Sequence, residues 1–312
     1  MLSRMRHPYV LLVFTTLFWG GNAIAGKLAV GHVSPMMLTL LRWSLSVALI
    51  APFALGHVRR DWPMILPRLP VLFALGATGF TLFNAIFYVA VTYTTAINVT
   101  IEQSAMPLIV FLGNFVLFRA RVAPLQIAGF ALTLVGVMLT ASHGELRTLL
   151  ALELNRGDAI MMIAVFVYAA YTVGLRFRPP IHWLSLIFML AASAWIAAIP
   201  FAAFEWWSGN ARLPDAQGFA VGLYTSVFAS LLAQTLYIQG VGSIGANRAN
   251  LFVNLVPIFG AALSVIVLRE ELQLYHVAAL AFVLCGITLA EHAGRRNAQP
   301  DAKTAPHPRG TP

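Results

Sequence analysis

Windows of about 20 apolar residues alternate with short polar or charged elbows along almost the whole chain. A helix of that length crosses a hydrocarbon layer of about 30 Å. The pattern therefore predicts an all-α membrane protein with ten transmembrane helices, near 9–30, 35–55, 69–92, 97–118, 124–141, 158–176, 182–204, 218–239, 247–268 and 273–291. Connections are short, which makes successive spans antiparallel neighbours. The longest, Ser142–Gly157, leaves room for a small amphipathic surface helix around Leu146–Leu154.

The spans are not independent of one another. The stretch 90–140 returns, diverged, at 240–290, and one shift of 150 residues pairs Val91 with Val241, Ala96 with Ala246, Pro107 with Pro257 and Arg119 with Arg269. The same shift pairs Ala128 with Ala278, Leu134 with Leu284, Gly136 with Gly286 and Leu139 with Leu289. Upstream, with small slips, Asn84 falls on Gln234, Trp19 on Tyr168 and Asn22 on Tyr171. A repeat of this length implies homologous halves: residues 1–141 and 158–292, a linker at 142–157 and a disordered tail at 293–312. Five spans per half, an odd number, insert the second half upside down relative to the first, giving a 5+5 inverted repeat.

Composition agrees with a membrane location. The chain is 59% hydrophobic and 10% charged, with mean hydropathy +0.80, where soluble chains carry roughly 25% charge. The net charge of +9 is placed between spans and in the tails, not in a patch for nucleic acid. With the N-terminus inside, inner segments hold fourteen Lys and Arg residues and outer loops four. That bias puts both termini in the cytoplasm. Cys285 is the single cysteine and lies in an apolar span, so it forms no internal disulfide. The N-terminus reads as a retained first helix, with no small-residue cleavage site before Trp19.

Local motifs add little enzymatic chemistry. Gly240-Val241-Gly242-Ser243-Ile244-Gly245 has the letters of a dinucleotide loop, but no strand precedes it, so a tight inter-helix turn is expected. Asn98-Val99-Thr100 is a glycosylation sequon that starts a membrane helix and is discounted. Metalloprotease, serine hydrolase and P-loop signatures are lacking, and no cofactor or metal is expected.

Polar side chains inside spans are costly and face the bundle interior or a wet path. Thr15, Trp19, Asn22 and Gly26 share one helical face. Asn84 and Tyr88 in span 3, Tyr168 and Tyr171 in span 6, Gln234 and Tyr237 in span 8 and Asn250 in span 9 complete a candidate cavity lining. Aromatic faces and amides suit a small, partly polar metabolite; the same residues would also serve as plain interhelical hydrogen bonds. Counting helical rise from the span ends, Lys27, Arg42 and Glu102 lie roughly 5, 10 and 7 Å below the outer surface. Lys27 can snorkel outward. An Arg42–Glu102 ion pair or shared water network is expected, acting as a gate latch or proton-coupling site, or simply locking span 2 to span 4. Pro107 and Pro257 break spans 4 and 9 at equivalent positions and are candidate hinges.

Phe18-Trp19-Gly20-Gly21-Asn22, the Leu40-Leu41-Arg42-Trp43 run, Gly157-Asp158, Leu268-Arg269-Glu270-Glu271-Leu272 and the Pro-centred spans resemble the EamA-like drug/metabolite transporter superfamily over about residues 8–292. Arg119-Ala120-Arg121 departs from the acidic elbow at the equivalent place in the second half, as the charge rule predicts for opposite orientation. The resemblance implies a bacterial inner-membrane carrier working by alternating access, monomeric or dimeric, that exports small metabolites, amino acids foremost. Two alternatives stay open: a translocator of phosphorylated metabolites or sugar nucleotides, and a non-transporting assembly or sensor subunit.

Overall fold

The computed structural model describes residues 7–119, 123–145, 155–245, 249 and 252–298. It is helical throughout, with no strand among those residues. Helix α1 (Pro8–Ala29) begins with proline in its first turn, where a missing N–H costs nothing. Helix α2 (Pro35–Ile65) runs 31 residues, past the expected end at 55, and its last turns carry the exposed Arg59 and Arg60. A 3-10 turn, Leu66–Arg68, leads into α3 (69–93), built from Leu69–Gly76, a π-helical turn Ala77–Leu82 and Phe83–Tyr93. Helix α4 (96–118) contains the 3-10 turn Gln103–Ala105. Then come α5 (Pro124–Ala141), α6 (Arg156–Gly174), α7 (Trp183–Trp207), α8 (Ala216–Ile244), α9 (Val256–Leu268) and α10 (Leu274–Ala298).

Seven helical stretches among the described residues are long and apolar enough to cross a membrane, and two shorter apolar helices, Val256–Leu268 and Leu274–Ala290, accompany them. One of the seven is the 59-residue run Pro35–Tyr93. Arg42 near its start bonds Asn84 and Tyr88 near its end, so the chain reverses at Leu66–Arg68 and α2 and α3 lie antiparallel. The outside is apolar: Phe53, Val116, Ile266 and Trp207 are 70%, 72%, 74% and 85% exposed. Only a hydrocarbon surround tolerates such a surface on helices whose backbone bonds are satisfied internally.

One detail differs from expectation. Helix α10 continues to Ala298, beyond 293 where a disordered tail was expected, while 299–312 lie outside the described residues. The proposed surface helix at 146–154 is also outside them. The 240–245 glycine motif is a helix end: α8 stops at Ile244 and Gly245 adopts φ 83° and ψ 153°, a positive-φ conformation that glycine adopts without steric penalty.

Helix packing has a regular form. Helix α1 packs on α8 and α9, while α6 packs on α3 and α4; α2 packs on α7 and α5 on α10. Exchanging each helix for the one five places later leaves this set of neighbours unchanged. The α5–α10 seam is the closest approach. A Cβ on Gly129 would sit 2.5 Å from the Gly286 carbonyl oxygen, and one on Gly136 would sit 2.7 Å from that of Ala279. Small residues let these backbones touch, the way membrane helices associate without a hydrophobic driving force.

One end of the bundle is stitched shut by its loops. Glu205 at the end of α7 accepts from Ser34 Oγ (2.5 Å) and from the Met36 and Met37 amides (3.3 and 3.1 Å), capping the N-terminus of α2. Glu270 does the same for α4, accepting from the Ala96 and Ile97 amides at 2.8 and 3.0 Å. Carboxylates are favoured at the positive end of a helix. Arg212 donates to the Gly31 carbonyl, and His32 meets Asp215 at 2.7 Å. Donation from the Gly218 amide, then from His32, holds the exposed Asp215 carboxyl below the ordinary carboxylate range. Removing the α2 cap by Glu205→Ala is expected to cost about 1–2 kcal/mol, seen as a lower melting temperature in detergent. An unchanged melting temperature would show that the cap contributes nothing.

Candidate functional site

The centre of the bundle is built around Arg42, only 6% exposed although it lies within an apolar helix. Its Nε donates to Ser230 Oγ (2.9 Å), and its Nη1 faces Asn84 Oδ1 (2.7 Å), Tyr88 Oη (2.7 Å) and Asn22 Oδ1 (3.0 Å). Tyr88 in turn donates to Asn22 Oδ1 at 3.3 Å. The ligating groups come from α1, α3 and α8, far apart in sequence. Every one of them is neutral, and no carboxylate pairs with Arg42 among the described residues.

The π-helical turns explain how this centre is held. A π turn widens the helix and frees carbonyls from the regular ladder. In α3 the freed Phe80 carbonyl accepts from both Trp43 Nε1 (3.1 Å) and Asn84 Nδ2 (2.5 Å), which fixes the Asn84 oxygen toward Arg42. In α8 the π segment Thr225–Leu232 carries Ser230, whose hydroxyl donates to the Thr225 carbonyl (2.9 Å), and Ser226, which donates to the Arg42 carbonyl (2.8 Å). The Trp43 ring stacks on Phe80 at 4.7 Å, and the Arg42 guanidinium lies 5.2 Å from the Trp43 ring centre.

Of the sequence-selected lining residues, Asn22, Asn84 and Tyr88 thus meet at Arg42. Trp19 and Tyr237 meet each other, ring centres 5.4 Å apart, on a partly exposed side of the same centre. Tyr168 and Tyr171 (5.4 Å apart) pack on Phe83 and Phe80; Tyr171 is buried against Gly79 and belongs to the core. Gln234 is partly exposed on α8. Asn250 lies outside the described residues. Beyond Tyr88, toward the stitched end, the space lined by Gly26, Ala29, Val33, Pro35, Leu38 and Thr92 is about 10 Å³, room for one water at most.

The expected Arg42–Glu102 ion pair does not form. Depth along a helix fixes height and not direction: Glu102 sits on a segment of α4 that packs against α1, α5, α6, α9 and α10, while Arg42 faces α1, α3 and α8. Glu102 is fully buried and neither carboxylate oxygen has a hydrogen-bond partner among the described residues. Asp158, at the edge of its expected span, is a second buried acid, 1% exposed. Asp158 accepts from the Thr94 hydroxyl and lies 3.4 Å from Asn98 Nδ2 and 3.9 Å from His143 Nε2. His276 Nδ1 accepts the Gln273 amide (3.0 Å), so its Nε2 carries the proton and donates to Asn98 Oδ1 (3.0 Å). Lys27 does not simply snorkel: its ammonium caps α3 by donating to the Val91 and Thr94 carbonyls at 3.0 and 2.7 Å.

Pro107 and Pro257 also differ from mid-helix kinks. Each stands at the second position of a new helical piece, Met106–Phe118 after a 3-10 turn and Val256–Leu268 after the turn at Asn254–Leu255. Proline lacks the N–H that would continue the ladder, so the helix restarts there.

A lipid-facing exterior around a buried polar centre drawn from distant helices defines a multi-pass helical membrane protein. The chain belongs to the EamA-like transporter family, which matches residues 7–142 and again 155–291. It is 24% identical to YetK of Bacillus subtilis, an uncharacterized transporter, over 98% of this chain and 92% of that protein. An uncharacterized transporter of Archaeoglobus fulgidus is 26% identical over 90% of this chain and 96% of its own. A solved crystal structure superposes on 94% of this chain and 99% of its own with a TM-score of 0.62 at 18% identity, which marks a shared fold.

Proposed function

We propose that the protein is a ten-span, 5+5 inverted-repeat carrier of the bacterial inner membrane that exports small carboxylate-bearing metabolites, amino acids foremost, by alternating access. One observation carries this reading: the Arg42 centre joins Asn22, Asn84 and Tyr88 of the first half to Ser230 of the second. A site shared by two halves is remade whenever they rock against each other. The exchange symmetry of the helix contacts, and the breaks before Pro107 and Pro257 as hinge points, support the same reading. Trp19, Tyr168, Gln234 and Tyr237 line the approach, and the stitched end faces outside. Proteoliposomes loaded with labelled amino acids are expected to show protein-dependent efflux that Trp19→Ala and Asn84→Ala weaken. Wild-type efflux in both variants would remove the site. Phosphate esters are disfavoured because Lys27, the cation that accompanies Arg42 inside the expected spans of the first half, is engaged by carbonyls.

Glu102, with Asp158 beside it, is the group we assign to proton coupling. Glu102 is fully buried and its carboxyl oxygens find no donor among the described residues, so a transport cycle that exposed it to water would let it exchange a proton. Glu102→Gln is expected to leave flux that no longer responds to a pH gradient. A wild-type response in this variant would exclude the role.

A further inference from the structure

The Arg42 centre has unused donors. Nε and Nη1 are engaged, but Nη2 donates to none of the described residues, although the side chain is more than nine-tenths buried. Nη1 has two hydrogens and three acceptors, so one acceptor is surplus; Asn22, at 3.0 Å the longest contact, is the one most easily released. Asn22 Nδ2, too, has no partner among the described residues, and Asn22 is partly exposed. A desolvated cation surrounded by neutral acceptors is a charge without a counter-charge. The donors left over lie on neighbouring groups and point to an acceptor bearing negative charge.

We infer that Arg42 Nη2, with Asn22 Nδ2 beside it, binds the carboxylate of the transported molecule, and that this carboxylate, not an amino group, decides what is bound. The inference rests on the carrier reading and deepens it. One carboxylate oxygen would accept from Nη2 and the other from Asn22 Nδ2, while Nη1 keeps Asn84 and Tyr88. An ammonium would find no carboxylate here: among the described residues the buried acids Glu102 and Asp158 belong to the separate cluster around Asn98. The rings of Trp19 and Tyr237, which meet each other, offer an apolar surface to the side chain of the ligand.

Four matched probes test this: phenylalanine, 3-phenylpropanoate, phenylalaninamide and phenethylamine, applied to the full-length protein. Melting in detergent reads binding and proteoliposome exchange reads transport. Phenylalanine and 3-phenylpropanoate should both raise the melting temperature, with the two compounds lacking a carboxylate at least about tenfold weaker in apparent affinity. Arg42→Gln should erase that difference. Should Arg42→Gln fail to fold, the wild-type ranking still decides, and Asn22→Ala should narrow it. Equal binding of all four, a preference for the amines, or no stabilisation by either carboxylate would overturn the inference. Stabilisation by the carboxylates without any exchange would leave the inference standing and count against the carrier reading instead.

Discussion

Arg42→Ala is expected to reduce flux by about 100-fold or more while the protein still folds. Breaking a buried, hydrogen-bonded charge network removes an interaction of roughly 3–5 kcal/mol, and about 1.4 kcal/mol is a factor of ten. Folding survives because the change also removes a desolvated charge that has no carboxylate partner among the described residues. That relief offsets part of the hydrogen bonding lost at Ser230, Asn84, Tyr88 and Asn22. Arg42→Lys should also fail, by about tenfold or more, because one compact ammonium does not span acceptors on three helices. Flux in Arg42→Ala within a few-fold of wild type, at equal protein in the membrane, would show that the centre is structural.

The second large effect is on stability. Gly129→Leu should destabilise the α5–α10 seam by about 3 kcal/mol, the upper range for overpacking. The first added carbon would lie 2.5 Å from the Gly286 carbonyl and 2.7 Å from the Ala290 amide nitrogen, both backbone atoms that cannot rotate aside. Leu134→Ala on the lipid-facing side of α5, 42% exposed, is the control and should change little. Melting in detergent reads both. An unchanged melting temperature for Gly129→Leu would mean that these helices do not pack as described.

Much of this was legible in the residues. The shared face of Trp19 and Asn22, and the Asn84–Tyr88 pair, follow from helical spacing, and the structure brings Asn22, Asn84 and Tyr88 to one guanidinium. The equivalence of Pro107 and Pro257 survives, although each begins a helical piece. The aim of Ser230 toward Arg42 is not legible in the sequence, because it depends on a π turn that a period of 3.6 does not register. Glu102 does not meet Arg42: helical rise fixes depth and is silent about direction. The role of His276 is not visible in the sequence, since its partner Asn98 lies 178 residues away, and that of His143 depends on how the linker turns back onto Asp158. Asp158 opens the expected span 158–176, and α6 starts two residues earlier, at Arg156, which brings it into the first helical turn.

Access to the centre is the most direct test of a carrier closed at one end. In a Cys285→Ser background, Asn22→Cys would be treated with a membrane-impermeant thiol reagent from either face of sealed vesicles. Labelling from the cytoplasmic face alone, slowed by a transported carboxylate, is the predicted result. Labelling only from the opposite face, past the Glu205 and Glu270 caps, or from neither face, would contradict it.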